Sequence, residues 1–134
     1  MKKLPGVLLI DDDSTNNFLN ERLLARLDLS EYVLVAESGQ EALDLLSQAT
    51  MPPALILLDV NMPGLSGLDF LDSYQPQRQA QESPSVVIML TTTMDAKDLA
   101  RINELQIDGL VSKPLTEEKL TTLLQLHFQA YVTP

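Results

Sequence analysis

Five short apolar runs, separated by longer stretches of helical period, restrict the fold of this chain more than any other feature. The runs are Val7-Leu8-Leu9-Ile10, Val33-Leu34-Val35-Ala36, Leu55-Ile56-Leu57-Leu58, Val86-Val87-Ile88-Met89-Leu90 and Leu110-Val111. The first four are continuous rather than alternating, the pattern of strands buried on both faces, which need helices on each side. Between the runs, residues 14–27 open at Ser14 as a helix N-cap and carry Leu19, Leu23 and Leu27 at four-residue spacing. Residues 39–49 bring Ala42, Leu46 and Ala49 to one face. A shorter helix is expected from Ser66 to Tyr74, with Leu68 and Leu71 facing inward. Residues 96–105 place Leu99, Ile102 and Leu105 in step, and a last helix starts at Thr116 and buries Leu120, Leu123, Leu124 and Phe128. The polar segment from Gln75 to Ser85 reads as a mobile surface loop. Alternation of this kind implies a parallel sheet with right-handed crossovers, a doubly wound α/β fold.

A chain of 134 residues fits one domain, expected here over residues 1–134 with no second module. Its 45% apolar content is enough to fill a core. No run approaches the roughly 20 apolar residues that span a bilayer. The apolar stretch after Gly6 reaches only Ile10 before three aspartates, too short for a signal peptide. Without cysteine there are no disulfides, thiol nucleophiles or thiolate metal sites, which fits a cytoplasmic location. Net charge is -10, and such a surface repels a phosphate backbone, whose binding rests on Lys and Arg replacing counterions. Nucleic-acid binding is therefore not expected. Proteins and metal cations are the expected partners.

Ligands of a doubly wound sheet bind outside the carboxyl ends of its strands. Those ends here are chemically loaded. The first run leads into Asp11, Asp12 and Asp13, and the third into Asp59-Val60-Asn61-Met62-Pro63-Gly64. The fourth leads into Thr91, Thr92 and Thr93, and the fifth into Ser112-Lys113-Pro114. Carboxylates gathered this closely repel one another unless protonated or bridged by a cation. A hard divalent ion with oxygen ligands, Mg²⁺ or Mn²⁺, resolves the conflict. These loops hold no histidine or cysteine, which argues against zinc. A carboxylate can also attack phosphorus to give an acyl phosphate, a reaction that depends on positioning and on neutralising the phosphoryl oxygens. Lys113, the Thr91 hydroxyl and a metal are suited to hold those oxygens. Pro114 is expected to fix the loop, with room for an unusual peptide isomer.

The set Ile10-Asp11-Asp12-Asp13, Leu57 to Gly64, Met89-Leu90-Thr91-Thr92 and Ser112-Lys113-Pro114-Leu115 resembles the response-regulator receiver family of two-component signalling. The resemblance covers roughly residues 6–130, with every element in the family's order. It implies a five-stranded parallel sheet in the flavodoxin-like order 2-1-3-4-5, flanked by five helices. By the same resemblance Asp59 is the phosphoacceptor, and Asp12 and Asp59 ligate Mg²⁺ (or Mn²⁺) directly. Asp11 then acts through water, and Asn61 through its backbone carbonyl. Thr91 and Lys113 are the switch hydroxyl and the phosphate-sensing lysine. Thr92 stands where the family prefers a small residue, and Asn61 and Thr93 where the lifetime of the acyl phosphate is tuned. The implied donor is the phosphohistidine of a sensor histidine kinase or a phosphotransfer protein. The family's frequent aromatic residue three positions before the lysine is replaced by Leu110, which puts coupling through an aromatic rotor in doubt.

Each candidate has a purely structural counterpart. Asp59 could cap a turn, Asp13 could favour a helix N-terminus, Thr91 to Thr93 could be β-branched strand residues, and Lys113 a surface charge. Convergence of Asp11 and Asp12 on Asp59, and a Lys-Pro pair ending a buried strand, favour function for Asp59, Thr91 and Lys113. Asp13, Thr92 and Thr93 stay open, and His127 is read as helix surface rather than a relay histidine. The expectation is a stand-alone switch, monomeric or weakly dimeric, that signals through protein contact and catalyses only its own phosphoryl transfer and dephosphorylation. Two other classes compete. One is a receiver-like interaction module that is never phosphorylated. The other is a metal-dependent phosphatase working through an aspartyl phosphate, which usually carries a second acid two residues after the nucleophile, where this chain has Asn61.

Overall fold

The computed structural model describes residues 3–49, 51–59, 67–81, 84–91, 100 and 107–128. Its elements are β1 (Val7–Ile10), α1 (Ser14–Leu27), β2 (Val33–Ala36), α2 (Gly39–Gln48), β3 (Leu55–Asp59), α3 (Gly67–Gln79), β4 (Val86–Thr91), β5 (Gly109–Ser112) and α4 (Glu117–His127). All five strands pair in parallel, in the order β2-β1-β3-β4-β5. The helix expected over residues 96–105 lies outside the described residues, Ala100 excepted.

Strand alternation divides the interior into two cores. Leu8, Ile10, Ile56, Leu58, Val87 and Met89 pack with α2 and α3 on one face. Val7, Leu9, Leu55, Leu57, Ile88 and Leu90 pack with α1 and α4 on the other. Strands β1 and β3 are buried throughout, as continuous apolar runs should be. The second run departs from that expectation. As the sheet's edge, β2 has a neighbour on one side only, and Val33, Leu34 and Val35 stay half-buried.

Helix ends follow local chemistry. The N-cap of α1 is Asp13 rather than Ser14, because its carboxylate accepts from the backbone N–H groups of Thr15 and Asn16. Ser38 and Thr116 cap α2 and α4 in the same way. The inner face of α1 is set by Asn17 and Leu24, so Leu19, expected to face the core, is 56% exposed.

The expected loop from Gln75 to Ser85 is the largest correction. Helix α3 runs through Pro76 to Gln79. What holds it is a polar network invisible to local patterning. Arg78, 7% exposed, donates through Nη2 to Asp108 Oδ2 at 2.6 Å and through Nε to the Ser85 carbonyl at 2.9 Å. Asp108 Oδ2 also accepts from the Val87 N–H at 2.8 Å. The Ser85 hydroxyl donates to the Pro53 carbonyl at 2.7 Å and lies 3.2 Å from the Tyr74 hydroxyl. The end of α3 is thereby tied to the starts of β3, β4 and β5.

Removing one partner of a buried ion pair strands the other, which costs about 3–5 kcal/mol. Because Asp108 is a third exposed and can be rehydrated, Arg78→Ala should cost about 3 kcal/mol, at the low end of that range. Urea unfolding checks this, and a loss below about 1 kcal/mol would mean the network is only decoration.

Candidate functional site

Sheet order determines where chemistry can collect. Neighbouring strands β1 and β3 send their crossovers to opposite faces, leaving a crevice beyond their carboxyl ends. Ile10 is paired with Leu58, so Asp11, just past the end of β1, and Asp59, the last residue of β3, stand side by side. Both are nearly buried, 3% and 4% exposed, while Asp12 is exposed. One carboxylate oxygen from each of Asp11, Asp12 and Asp59 falls within 4.8 Å of the other two.

Lys113 reaches this group from the loop after β5. Its Nζ lies 3.1 Å from Asp59 Oδ1 and 3.4 Å from Asp11 Oδ2, so one ammonium neutralises part of two repelling carboxylates. Burial works against the charged lysine, but the hydrogen bond to Asp59 and the charges of Asp11 and Asp59 outweigh it. Its pKa is raised above the ordinary lysine value of 10.5. A raised folded-state value means the contribution to folding is intact below 10.5 and is lost as pH climbs through the raised pKa. The Lys113 backbone N–H donates to the Thr91 carbonyl at 3.0 Å, fixing the loop to the end of β4. The Lys113–Pro114 peptide is cis.

Asp11 is held from both sides. Its Oδ1 accepts from the Asp13 N–H at 2.9 Å, and its carbonyl accepts from Asn17 Nδ2 at 2.7 Å. Asn16 Nδ2 stands 3.5 Å from Asp11 Oδ2. Neither asparagine is among the site residues expected from the sequence. The signal was there: a polar Asn17 on the inward face of a helix needs a buried partner, and the acid loop is the one in reach.

Of the residues singled out from the sequence, Asp11, Asp12, Asp59 and Lys113 come together, and Thr91 ends the adjacent strand. Asp13 serves as the helix cap. Asn61, Thr92 and Thr93 lie outside the described residues. Leu110 is 47% exposed on β5, and His127 ends α4. An all-oxygen donor set with two dehydrated carboxylates fits a hard divalent cation. Among the described residues, no helix is long and apolar enough to cross a membrane.

Comparison with known proteins agrees with this geometry. Residues 7–125 match the response regulator receiver domain profile. The chain is 35% identical over 119 residues to the transcriptional regulatory protein CpxR of Escherichia coli K12, covering 89% of this chain and 47% of CpxR. A two-component response regulator from Cytophaga hutchinsonii superposes with a TM-score of 0.80 at 33% identity, covering 96% of this chain and 99% of that one. The chemotaxis protein CheY4 of Vibrio cholerae gives 0.78 at 26% identity, covering 93% and 99%. The chain belongs to the response regulator receiver domain family, whose members are signalling switches that bind Mg²⁺ at an acidic pocket. It spans about half the length of CpxR.

A ligand that binds only the folded state stabilises it by mass action. Mg²⁺ at ten times its Kd should therefore raise stability by about 1.4 kcal/mol in thermal unfolding. Asp12→Ala, which removes an exposed acid without opening a cavity, should abolish most of that increment at the same Mg²⁺ concentration.

Proposed function

We propose that this chain is a phosphorylation-dependent switch that accepts a phosphoryl group on Asp59 and signals through protein contact. The observation that carries the reading is the approach of Lys113 Nζ to both Asp59 and Asp11 within a group of three acids. Asp12 and Asp59 would hold Mg²⁺ (or Mn²⁺) directly and Asp11 through water, with the Asn61 carbonyl as a further ligand. Such an ion supplies charge neutralisation for the acids and for phosphoryl oxygens.

The rest falls to the chain's own side chains. The Asp59 carboxylate attacks the phosphorus of a phosphohistidine on a sensor kinase or phosphotransfer protein. A P–O bond forms and the P–N bond breaks, its electron pair staying on the imidazole nitrogen, which then takes a proton. Lys113, already beside Asp59, exchanges a carboxylate contact for a phosphoryl oxygen and so reports that the group has arrived. Thr91, at the end of the neighbouring strand, donates its hydroxyl to another phosphoryl oxygen. Output follows from the movement of these two residues and passes to β5 and its flanking helices. With Leu110 half-exposed in place of an aromatic rotor, that output would use other side chains of the face built by β5 and its flanking helices.

The kinship to CpxR and to chemotaxis and response-regulator structures supports this reading. A role in a single-domain protein and one as the receiver of a longer regulator use the same site chemistry.

Incubation with Mg²⁺ and acetyl phosphate should add one phosphoryl mass to the intact protein. Asp59→Ala should remove it, and Lys113→Ala should slow its appearance by about tenfold or more, as expected for losing a charge-stabilising group. A phosphoryl group that persists in Asp59→Ala contradicts the assignment. Turnover of an external phosphomonoester requiring Asp59 would instead favour a phosphatase.

A further inference from the structure

Lys119 stands where helix electrostatics disfavour it. It is the third residue of α4, after Glu117 and Glu118, in a first turn whose partial positive charge suits anions. A cation there needs compensation, and it finds three acceptors. Lys119 Nζ donates to the Ser112 carbonyl at 2.8 Å, the Pro114 carbonyl at 3.0 Å and the Ser112 hydroxyl at 3.1 Å. Three donors meet three acceptors, which uses the full capacity of an ammonium group.

The two carbonyls flank Lys113. Among the described residues they belong to a loop that follows an edge strand, since β5 pairs only with β4; Ser112 and Pro114 are exposed, while Leu115 just beyond them is seated in the core. On the β4 side the loop is held by the Lys113 N–H bonded to the Thr91 carbonyl. On the other side it is held by Lys119. None of these three Lys119 bonds goes to a carboxylate of the acid group, so what they contribute to the site passes through the loop.

We propose that Lys119 is a positioning residue: it clamps the backbone on both sides of Lys113 and so aims that ammonium at Asp59. The proposal rests on the phosphoacceptor reading above. Its scale follows from geometry, since misplacing a group that contacts the reacting atoms by about 1 Å can cost as much as 10²-fold in rate.

The test uses the full chain with Lys119→Ala, Lys119→Gln and Lys119→Arg. Three readouts are taken: phosphorylation rate by acetyl phosphate at saturating Mg²⁺, the Mg²⁺ concentration for half-saturation, and the Lys113 Cε–Hε NMR signal without metal. Lys119→Ala should slow phosphorylation about tenfold, leave Mg²⁺ half-saturation within about twofold, and move the Lys113 signal toward that of a free lysine. Lys119→Arg, which keeps the charge and the donors, should recover most of the rate. If Lys119→Ala does not fold, Lys119→Gln, with its two amide donors, gives the same three readouts. An unchanged rate overturns the proposal, as does a slower rate with an unmoved Lys113 signal or one explained by weaker Mg²⁺ binding. Failure of the wild-type protein to take up phosphate overturns the phosphoacceptor reading itself, and the positioning role with it.

Discussion

Two nearly buried carboxylates standing side by side at the carboxyl ends of adjacent strands are the constraint around which the rest of this molecule is arranged. Asp11 and Asp59 follow the Ile10–Leu58 pair of β1 and β3, and both are nearly buried. Like charges in that position raise the energy of the folded state unless a cation answers them. Lys113 is the answer within the chain itself, and it must cross from the loop after β5 to give it. Its ammonium therefore couples the end of the edge strand to the centre of the sheet. Whatever changes the charge on Asp59 changes what holds Lys113.

The two ends of the sheet are built differently for that reason. At the amino ends, Arg78, Asp108, Ser85 and Tyr74 join α3 to the strands through buried and partly buried hydrogen bonds. At the carboxyl ends, support is given to individual loops: Asn17 and the Asp13 N–H hold Asp11, while the Thr91 carbonyl and Lys119 hold the Lys113 loop. A rigid base with separately anchored loops lets one loop shift without disturbing the core. That is a physical requirement for a protein that must change its surface while keeping its fold.

The strands and the acid group were legible in the sequence because both are written locally. Four continuous apolar runs mark parallel strands, although the second, β2, lies at the sheet edge and is only half-buried, and the residues that end the first and third carry the acids of the site. Asp11, Asp12, Asp59 and Lys113 could be placed together from topology alone. Interactions between residues far apart were not legible. Arg78 and Asp108 are separated by 30 positions, and nothing near Pro76 signals that a helix continues past it. Spacing puts Leu19 on the core side, yet the buried residues of α1 are Asn17, whose side chain bonds the Asp11 carbonyl, and Leu24. Nothing in the sequence marks Lys119, because its bonds go to two backbone carbonyls and a hydroxyl, which no pattern of residue types announces.

The most direct measurement is a crystal structure with Mg²⁺ and fluoroberyllate, a mimic of the phosphoryl group. The account predicts fluoroberyllate bound to the Asp59 carboxylate, the cation among Asp11, Asp12 and Asp59, and Lys113 Nζ within hydrogen-bonding distance of a fluorine. A structure with Lys113 turned away from Asp59, or with the mimic on another side chain, would contradict it.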